Sequence, residues 1–197
     1  KTVIYSGTYG SLPTPTRTGY TFSGWFTSAT GGSKVIESTE VTSTVNHTIY
    51  ARWTARTITV TYDQNGGTGV SPSSNGVAFN SKYKLPGTNP TRAGYTFAGW
   101  FTSASGGTQV TTSTTLTNVS NHSIYAHWNP NTITLTLNNQ SATTAGTGAV
   151  YYKYNTATYY SNSALSTTIT KITVPTKTGY TFGGYYTTAS GGGTQYI

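Results

Sequence analysis

The sequence predicts a mostly β protein, built from small tandem repeat domains that are arranged as an elongated array. The first observation behind this prediction is a ten-residue segment that begins at Gly19 and returns at Gly94 and again at Gly179. Recurrence at a near-constant period is typical of an array of one small domain. The second observation is the composition: Thr, Ser, Gly, Asn and Tyr supply the polarity, and no stretch shows sustained 3.6-residue apolar periodicity. Such a sequence favours strands over helices.

The composition also limits the kind of protein that this chain can be. With 34% hydrophobic and 14% aromatic residues the chain is expected to fold, because disordered chains contain few aromatic residues. The absence of cysteine excludes disulfides and thiolate chemistry. The net charge of +8 comes from scattered basic residues rather than a basic stripe, so we expect no specific nucleic-acid partner. The apolar runs are far shorter than the ~20 residues that cross a bilayer, so no membrane-spanning segment is expected in this chain.

The repeat period divides the chain into three domains. Residues 55–129 form a complete repeat. Residues 1–54 form a partial repeat whose N-terminal part is missing, and residues 130–197 form a divergent partial repeat whose C-terminal part is missing. Because both outer repeats stop short of a full unit, we expect the sequence to be an excerpt from a longer protein.

The central repeat shows the order of the predicted strands. Residues 57–62 alternate between polar and apolar side chains, as expected for a strand with one buried face. Residues 63–67 supply turn residues. A second strand is predicted within residues 77–84, the densest part of the core at residues 94–101, and a final strand at residues 123–128.

The connections between the repeats are short. They comprise residues 53–57 and residues 128–132, and the second contains Pro130. Linkers of this length leave little freedom, and proline stiffens them further. We therefore expect neighbouring repeats to point in a restricted direction, each extending the array by on the order of 30 Å.

Aromatic residues that recur at fixed places are predicted to form the cores of the repeats. A small domain has a modest core and depends strongly on buried aromatic side chains. The predicted core residues are Tyr20, Phe22, Trp25, Tyr50, Trp53, Tyr95, Phe97, Trp100, Tyr125, Trp128, Tyr180 and Phe182.

The third repeat differs from the others by ten extra residues, which fall between Leu137 and Gly179, and by a group of tyrosines. Two interpretations remain open. The tyrosines belong either to a longer strand pair or to a surface that stacks on sugars or docks a protein, because tyrosine combines rigid area with a hydrogen-bonding tip. The candidate ligand-contact residues are Tyr151, Tyr152, Tyr154, Tyr159 and Tyr160.

The central repeat resembles the Listeria–Bacteroides repeat of the internalin B type. The residues that carry the resemblance are Asn65-Gly66-Gly67, the Pro-Thr-Arg-x-Gly-Tyr-x-Phe-x-Gly-Trp motif at residues 90–100, Gly106-Gly107, and the Ile-Tyr-Ala-x-Trp motif at residues 124–128. The third repeat fits less well, because Asn138-Asn139-Gln140 stands where the glycine turn is expected.

The resemblance implies small α+β domains of a β-grasp-like kind, strung along a secreted or surface-attached bacterial protein, commonly an adhesin. It implies an extracellular or cell-surface location. It carries no catalytic residue to transfer, and it leaves the ligand open, because such repeats often serve as spacers.

The residues themselves provide little material for catalysis or metal binding. The acids are Glu37, Glu40 and Asp63, and the equivalent His47 and His122 have no acidic or cysteine partners nearby in the sequence. Zinc and calcium sites need several such ligands together. We therefore expect no catalytic residue, no metal and no cofactor, and we predict that the chain is not an enzyme.

Three functions follow as hypotheses. The leading one is a non-enzymatic structural stalk or spacer of a bacterial cell-surface or secreted protein such as an adhesin, whose partners are the neighbouring repeats of the same chain. The second is an adhesive module in which the tyrosine-rich third repeat contacts a glycan or protein of the host or matrix. The third is a subunit of an extracellular filament, self-assembled head-to-tail by completion of the partial terminal repeats.

Overall fold

The computed structural model describes residues 1–195, and within them it contains twelve β-strands and no α-helix. The prediction of a mostly β repeat protein is confirmed. The helix that an α+β domain would contribute is not found in the described residues, and the β-grasp-like detail remains a prediction. No helix within residues 1–195 has the length and hydrophobicity needed to cross a membrane.

The first repeat forms an antiparallel sheet of three strands, namely β1 (Tyr20–Phe26), β2 (Lys34–Val35) and β3 (Tyr50–Ala55), in the order β2-β1-β3. The register of β1 against β3 shifts between Phe22 and Gly24, which is a β-bulge. Because β3 pairs only with β1, it lies at the edge of this sheet.

The second repeat forms a mixed sheet of five strands, in the order β5-β4-β8-β6-β7. These strands are β4 (Thr57–Asp63), β5 (Ser74–Ala78), β6 (Tyr95–Phe101), β7 (Gln109–Val110) and β8 (His122–Pro130). β4 pairs with β5 antiparallel and with β8 parallel. The first and last strands of the repeat therefore lie side by side, and this pairing closes the domain.

The core of the second repeat follows from the alternation in β4. Ile58, Val60 and Tyr62 are buried, whereas the threonines between them are exposed, as expected for a strand with one covered face. The other buried apolar residues of this repeat are Val77, Tyr83, Trp100, Val110, Leu116, Ile124 and Ala126. Burying one large apolar side chain contributes about 1.5–3 kcal/mol relative to leaving it exposed.

The strand predicted within residues 77–84 is displaced toward the N-terminus. The structure places β5 at Ser74–Ala78, where Ile58 lies opposite Val77 and Val60 opposite Asn75. The strand stops before Asn80, which has a positive φ of 63°. The prediction was wrong here because apolar residues after the strand, such as Tyr83, are buried without belonging to a ladder.

The third repeat forms an antiparallel sheet of four strands, in the order β12-β11-β10-β9. They are β9 (Thr132–Thr136), β10 (Ala149–Lys153), β11 (Tyr159–Tyr160) and β12 (Thr168–Ile169). β9 and β10 follow β4 and β5 by 75 residues, so the ten extra residues come after β10, in the same part of the chain as the strands β11 and β12. The core of this repeat is a cluster of Leu137, Val150 and Tyr185.

Contacts divide the chain into two compact units that do not follow the repeats. One unit contains Lys1–Pro90 and Gly99–His127, and the other contains Thr91–Ala98 and the chain from Trp128 onward. The connection between the first and second repeats therefore lies inside one unit, and the connection between the second and third repeats lies inside the other.

We predict that the protein loses stability in alkali above pH about 10. Burial raises the pKa of Tyr62, Tyr83 and Tyr185, and for Tyr62 the hydrogen bond from Asn75 opposes part of this rise. In the unfolded chain these tyrosines ionise near their ordinary pKa of about 10, while in the fold they keep their protons. The unfolded state then binds fewer protons, so the free energy of unfolding falls as pH rises through this range. Urea unfolding at about pH 8 and about pH 11 measures the difference.

The variant Tyr62→Phe provides the control for this prediction. It should be less stable than the parent at about pH 8, because Asn75 and the carbonyl oxygen of Lys84 lose their hydrogen-bond partner. Its decline in alkali should be shallower, because one raised pKa is gone. Equal or higher stability of the parent protein at about pH 11 than at about pH 8 would contradict the prediction.

Candidate functional site: the junctions between repeats

A single residue separates the last strand of one repeat from the first strand of the next. At the first junction β3 ends at Ala55 and β4 begins at Thr57, so that Arg56 alone connects them. At the second junction β8 ends at Pro130 and β9 begins at Thr132, with Asn131 between them. These connections are shorter still than the linkers predicted from the sequence.

The linking residue is hydrogen-bonded to the repeats on both sides. The amide of Arg56 donates to the carbonyl oxygen of Gly19 at 2.9 Å, and the amide of Phe79 donates to the carbonyl oxygen of Arg56 at 2.8 Å. The second junction repeats this arrangement with Asn131, Gly94 and Tyr154, at the same two distances. Backbone hydrogen bonds therefore hold each linking residue between the earlier and the later repeat.

An aromatic pair packs across each junction. Tyr20 of the first repeat meets Phe79 of the second edge-to-face, with ring centroids 5.5 Å apart. Tyr95 of the second repeat meets Tyr154 of the third in the same way at 5.4 Å. A pair of this geometry contributes about 0.5–1.5 kcal/mol beyond the area that it buries.

A cation lies over each of these tyrosines. The guanidinium of Arg17 is 4.1 Å from the ring centroid of Tyr20, and that of Arg92 is 4.3 Å from the centroid of Tyr95. Cation–π contacts at partly exposed sites contribute about 0.5–1 kcal/mol. The tyrosine ring is thus fixed by its own repeat as well as by the next one.

A glycine lets the ring of the following repeat approach the backbone. Gly19 and Gly94 have positive φ values of 79° and 80°, which glycine adopts without strain. A Cβ atom added at Gly19 would lie 2.3 Å from the ring of Phe79, and one added at Gly94 would lie 2.4 Å from the ring of Tyr154. The ring therefore occupies the space that any other residue would fill with its side chain. We call the glycine, the tyrosine and the cation of each junction the glycine socket.

The third repeat carries the same socket without a ring on it. Gly179 has a φ of 77°, and the ammonium of Lys177 lies 4.8 Å from the ring centroid of Tyr180. No heavy atom of the described residues, apart from the neighbours of Gly179 along the chain, lies within 4 Å of a Cβ added there. Tyr180 is accordingly 72% exposed.

The predicted core aromatics are mostly half-buried rather than fully buried. Only Trp100 among them is buried, at 3% exposure, and it packs against Tyr62. The half-buried ones are Tyr20, Phe22, Trp25, Trp53, Tyr95, Phe97, Tyr125 and Trp128. Two of their contacts recur, Phe22 with Trp53 at 5.4 Å and Phe97 with Trp128 at 5.6 Å between ring centroids.

Three of the predicted core residues, Tyr50, Tyr180 and Phe182, are exposed, and in each case residues 1–195 contain no strand at the neighbouring position. Tyr125, the counterpart of Tyr50, lies opposite Asp63 of β4, whereas the first repeat contains no such opening strand. The counterparts of Tyr180 and Phe182 lie in β6 next to β8, and the third repeat has no closing strand within the described residues. These three residues are therefore not core residues in this structure.

The five candidate tyrosines of the third repeat do not share one face. Tyr152 lies opposite Tyr159, with ring centroids 5.6 Å apart, and Tyr151 lies opposite Tyr160. Because successive residues of a strand point to opposite faces, these two pairs lie on different sides of the sheet. Tyr154 packs at the second junction, against Gly94 and Tyr95.

The equivalent histidines have a repeated structural partner. The hydroxyl of Tyr9 is 2.6 Å from Nε2 of His47, and the hydroxyl of Tyr83 is 2.8 Å from Nε2 of His122. In each case Nδ1 faces a backbone carbonyl oxygen. Within residues 1–195 no three His, Asp or Glu side chains form a group that could hold a metal ion.

Sequence reasoning missed Phe79 and Tyr154 as junction residues. Phe79 and Tyr154 are 75 residues apart in the sequence, which is the repeat period. However, a single aromatic residue directly after a strand cannot be distinguished by pattern from a residue of that strand. The basic residue three positions before each tyrosine, at Arg17, Arg92 and Lys177, was the other available signal.

Comparison with known proteins agrees with the repeat pattern. The sequence profile of the Listeria-Bacteroides repeat domain matches residues 1–52, 59–127 and 139–197. Internalin H of Listeria monocytogenes is 34% identical over 117 residues, which cover 59% of this chain and 20% of that protein. No solved structure matches the chain significantly.

A second relative is found outside Listeria. A protein of Evansella cellulosilytica, provisionally named a Gly-rich membrane protein, is 31% identical over 98 residues, which cover 46% of this chain and 11% of that protein. The aligned part of the chain thus spans a fifth or less of the length of either relative.

We predict that alanine at an occupied glycine socket destabilises the protein more than alanine at the unoccupied one. Gly19→Ala, Gly94→Ala and Gly179→Ala share the strain of a positive φ, about 1 kcal/mol. Only Gly19→Ala and Gly94→Ala also bring a methyl group into collision with an aromatic ring of the next repeat. Overpacking of this kind adds about 1–3 kcal/mol. Urea unfolding of the three variants measures the difference, and an equal loss in Gly179→Ala would show that the rings are not held on the glycines.

Proposed function

Because the chain belongs to the Listeria–Bacteroides repeat domain family, we propose that it is a non-enzymatic structural stalk or spacer of a bacterial cell-surface or secreted protein. The observation that carries this proposal is the recurrence of one set of contacts at both junctions. A spacer needs joints that hold each domain against the next. The glycine socket and the one-residue linker provide such a joint twice in this chain.

The mechanism that we propose is mechanical. Bending at the first junction would have to withdraw Phe79 from Gly19 and Tyr20, and it would also break the hydrogen bonds on both sides of Arg56. Each net hydrogen bond contributes about 0.5–1.5 kcal/mol, so together with the aromatic pair the joint resists bending by a few kcal/mol. Stiff joints in series would hold an adhesive or other domain away from the envelope.

The low charge of the chain suits this role. Apart from one cation–π contact each, the joints consist of backbone hydrogen bonds and aromatic contacts, and only 7% of the residues are charged. At 0.1 M ionic strength salt largely screens exposed charges that lie more than about 10 Å apart, but it does not screen contacts between uncharged groups. Joints of this composition should keep their geometry across the range of salt that a secreted protein meets.

A location at the cell surface is part of the same proposal. One relative is named an internalin and the other is provisionally named a membrane protein, which supports a place at the bacterial envelope or outside it. An adhesin remains the kind of parent protein that we propose, and the neighbouring repeats are the partners that the chain itself provides.

A second candidate function is binding of a glycan or protein by the third repeat. The observation in its favour is the pair of Tyr152 and Tyr159, of which Tyr159 is 43% exposed. This site would be smaller than the five-residue surface expected from the sequence, because Tyr154 belongs to the junction. Loss of ligand binding in Tyr159→Ala, with unchanged thermal unfolding, would support it.

We predict narrow distance distributions across both junctions. The chain has no cysteine, so cysteine pairs introduced at Thr16 with Ser105, and at Thr91 with Ser190, carry spin labels without background. Each pair spans one junction within a single compact unit, and all four positions are exposed. Pulsed electron paramagnetic resonance should show a single narrow distance for each pair, because the joints resist bending.

Matched variants separate the two junctions in the same experiment. Phe79→Ala should broaden the distance between positions 16 and 105 and leave that between positions 91 and 190 unchanged. Tyr154→Ala should do the reverse. Broad distributions in the unmodified chain would contradict the stalk proposal.

A further inference from the structure

A groove lies beside the first junction, inside one of the two compact units. Its volume is about 510 Å³, within the range of about 300–1,000 Å³ that is usual for small-molecule sites. It is lined by residues 14–22 and Trp53 of the first repeat, by the linking residue Arg56, and by Val119 of the second repeat. Both repeats and their linker therefore contribute to one surface.

Three aromatic rings line this groove and are already held in place by the protein. Tyr20, Phe22 and Trp53 are each half-buried. Phe22 meets Trp53 edge-to-face, and Tyr20 is held by Phe79 of the next repeat. Rigid aromatic side chains provide contact area at a low cost in conformational entropy. The rings therefore form a surface that is ready to receive a flat apolar group.

The exposure of these rings is a property of the complete repeat as well. In the second repeat the counterparts of Phe22 and Trp53 are Phe97 and Trp128, and both are half-buried although that repeat contains β4. β4 pairs with residues 122–125 of β8, which precede Trp128. An opening strand thus leaves this end of the closing strand accessible.

The indole N–H of Trp53 adds a hydrogen-bond donor to the aromatic surface. In Trp25 the indole nitrogen donates to the carbonyl oxygen of Pro13 at 2.9 Å. Within residues 1–195 the indole nitrogen of Trp53 has no such partner, and it is not enclosed by the protein. A half-exposed tryptophan of this kind combines an apolar face with a polar edge.

Two arginines contribute guanidinium groups to the groove. That of Arg17 is stacked over Tyr20, which occupies its face and leaves the N–H donors at its edge. The backbone of Arg56 is bonded on both sides, but its side chain is exposed. Within residues 1–195 neither guanidinium has a hydrogen bond or an ion pair, whereas Nη2 of Arg52 donates to the carbonyl oxygen of Ser28 at 2.9 Å.

The lining of the groove contains no carboxylate to offset these two charges. The acids of the chain are Glu37, Glu40 and Asp63, and none of them is among the lining residues. Arginine is always charged and binds planar carboxylates through two parallel hydrogen bonds. The groove therefore brings together aromatic rings and donors that match a carboxylate.

We propose that this groove binds an acidic polysaccharide built from uronic acids. Each uronic acid carries both features that the groove can recognise, a pyranose ring with an apolar face and a planar carboxylate. The ring would pack on Phe22 and Trp53. The carboxylates of neighbouring sugars would accept hydrogen bonds from Arg17 and Arg56. The site is separate from the tyrosine pair of the third repeat and goes beyond the stalk function.

The second junction provides a natural comparison within the same chain. The cation, the tyrosine and the tryptophan recur there, but the linking residue is Asn131 instead of Arg56. Oδ1 of Asn131 accepts a hydrogen bond from the hydroxyl of Thr96 at 2.7 Å, so this side chain is used within the protein. We therefore assign the acidic sugar to the first junction, and the variant Arg56→Asn gives that junction the linking residue of the second.

The test uses the full chain and the trimer of galacturonic acid as the probe. Titration of the isotope-labelled protein by nuclear magnetic resonance should show saturable binding with a dissociation constant below roughly 1 mM, which weakens as salt is added. Shifts should be confined to residues 14–22, the indole N–H of Trp53, and the amides of Arg56 and Val119. No saturable binding, or shifts elsewhere in the chain, would overturn the proposal.

Two variants that each remove one positive charge separate the groove from the general charge of the protein. Arg56→Asn should weaken binding of the trimer about tenfold, because a charge-assisted contact is lost while the backbone bonds remain. Lys171→Asn removes a charge at an exposed position of the third repeat and should leave the affinity unchanged. Equal weakening in both variants would reject the groove as the site. Unchanged thermal unfolding of both variants confirms that they are folded.

Control ligands identify which part of the probe is recognised. The trimer with its carboxylates converted to methyl esters should bind at least about tenfold more weakly, because it offers no charge to the two arginines. An ester that bound as well as the acid would reject recognition of an acidic sugar. Equally tight binding of inorganic phosphate or of a short oligothymidylate would show a general anion site or a nucleic-acid site, and it would refute the proposal as well.

Discussion

An aromatic ring packed directly on a backbone glycine is the contact on which the rest of the arrangement depends. Phe79 lies on Gly19 and Tyr154 lies on Gly94, where even one added carbon atom would collide with the ring. Glycine has no Cβ and takes a positive φ without strain, so the ring can approach closely enough for a one-residue linker to bond on both sides. The contact thereby holds the first two strands of the next repeat against the preceding repeat.

Burial within each repeat depends on strands from both ends of the repeat sequence. Where β4 and β8 are both present, their parallel pairing closes the sheet and buries Ile124 completely. Where the described residues contain no counterpart of β4 Tyr50 is exposed, and where they contain no counterpart of β8 Tyr180 is exposed. The presence or absence of these two strands thus explains why the second repeat has a fully buried core and why aromatic residues of the first and third repeats are exposed.

The sequence allowed much of the second repeat to be predicted but less of the sites between strands. The alternation at residues 57–62 and the motif at residues 124–128 located β4 and β8 correctly, because a strand with one buried face has a period of two. The same pattern could not show that β4 and β8 pair in parallel, nor that Phe79 packs on Gly19, since these contacts join distant residues. Burial of Tyr180 was predicted from its recurrence alone, which does not reveal whether a neighbouring strand is present.

The central claim is that the linking residues belong to the folded joints and are not flexible connectors. Native-state hydrogen exchange of the amides of Arg56 and Asn131 tests it most directly, because each donates to a glycine of the preceding repeat. The structure predicts that both amides are protected to nearly the same degree as the strand amides on either side of them. Exchange at the rate of an unstructured loop, with the flanking strands still protected, would show that the repeats are joined by a hinge and would contradict the account.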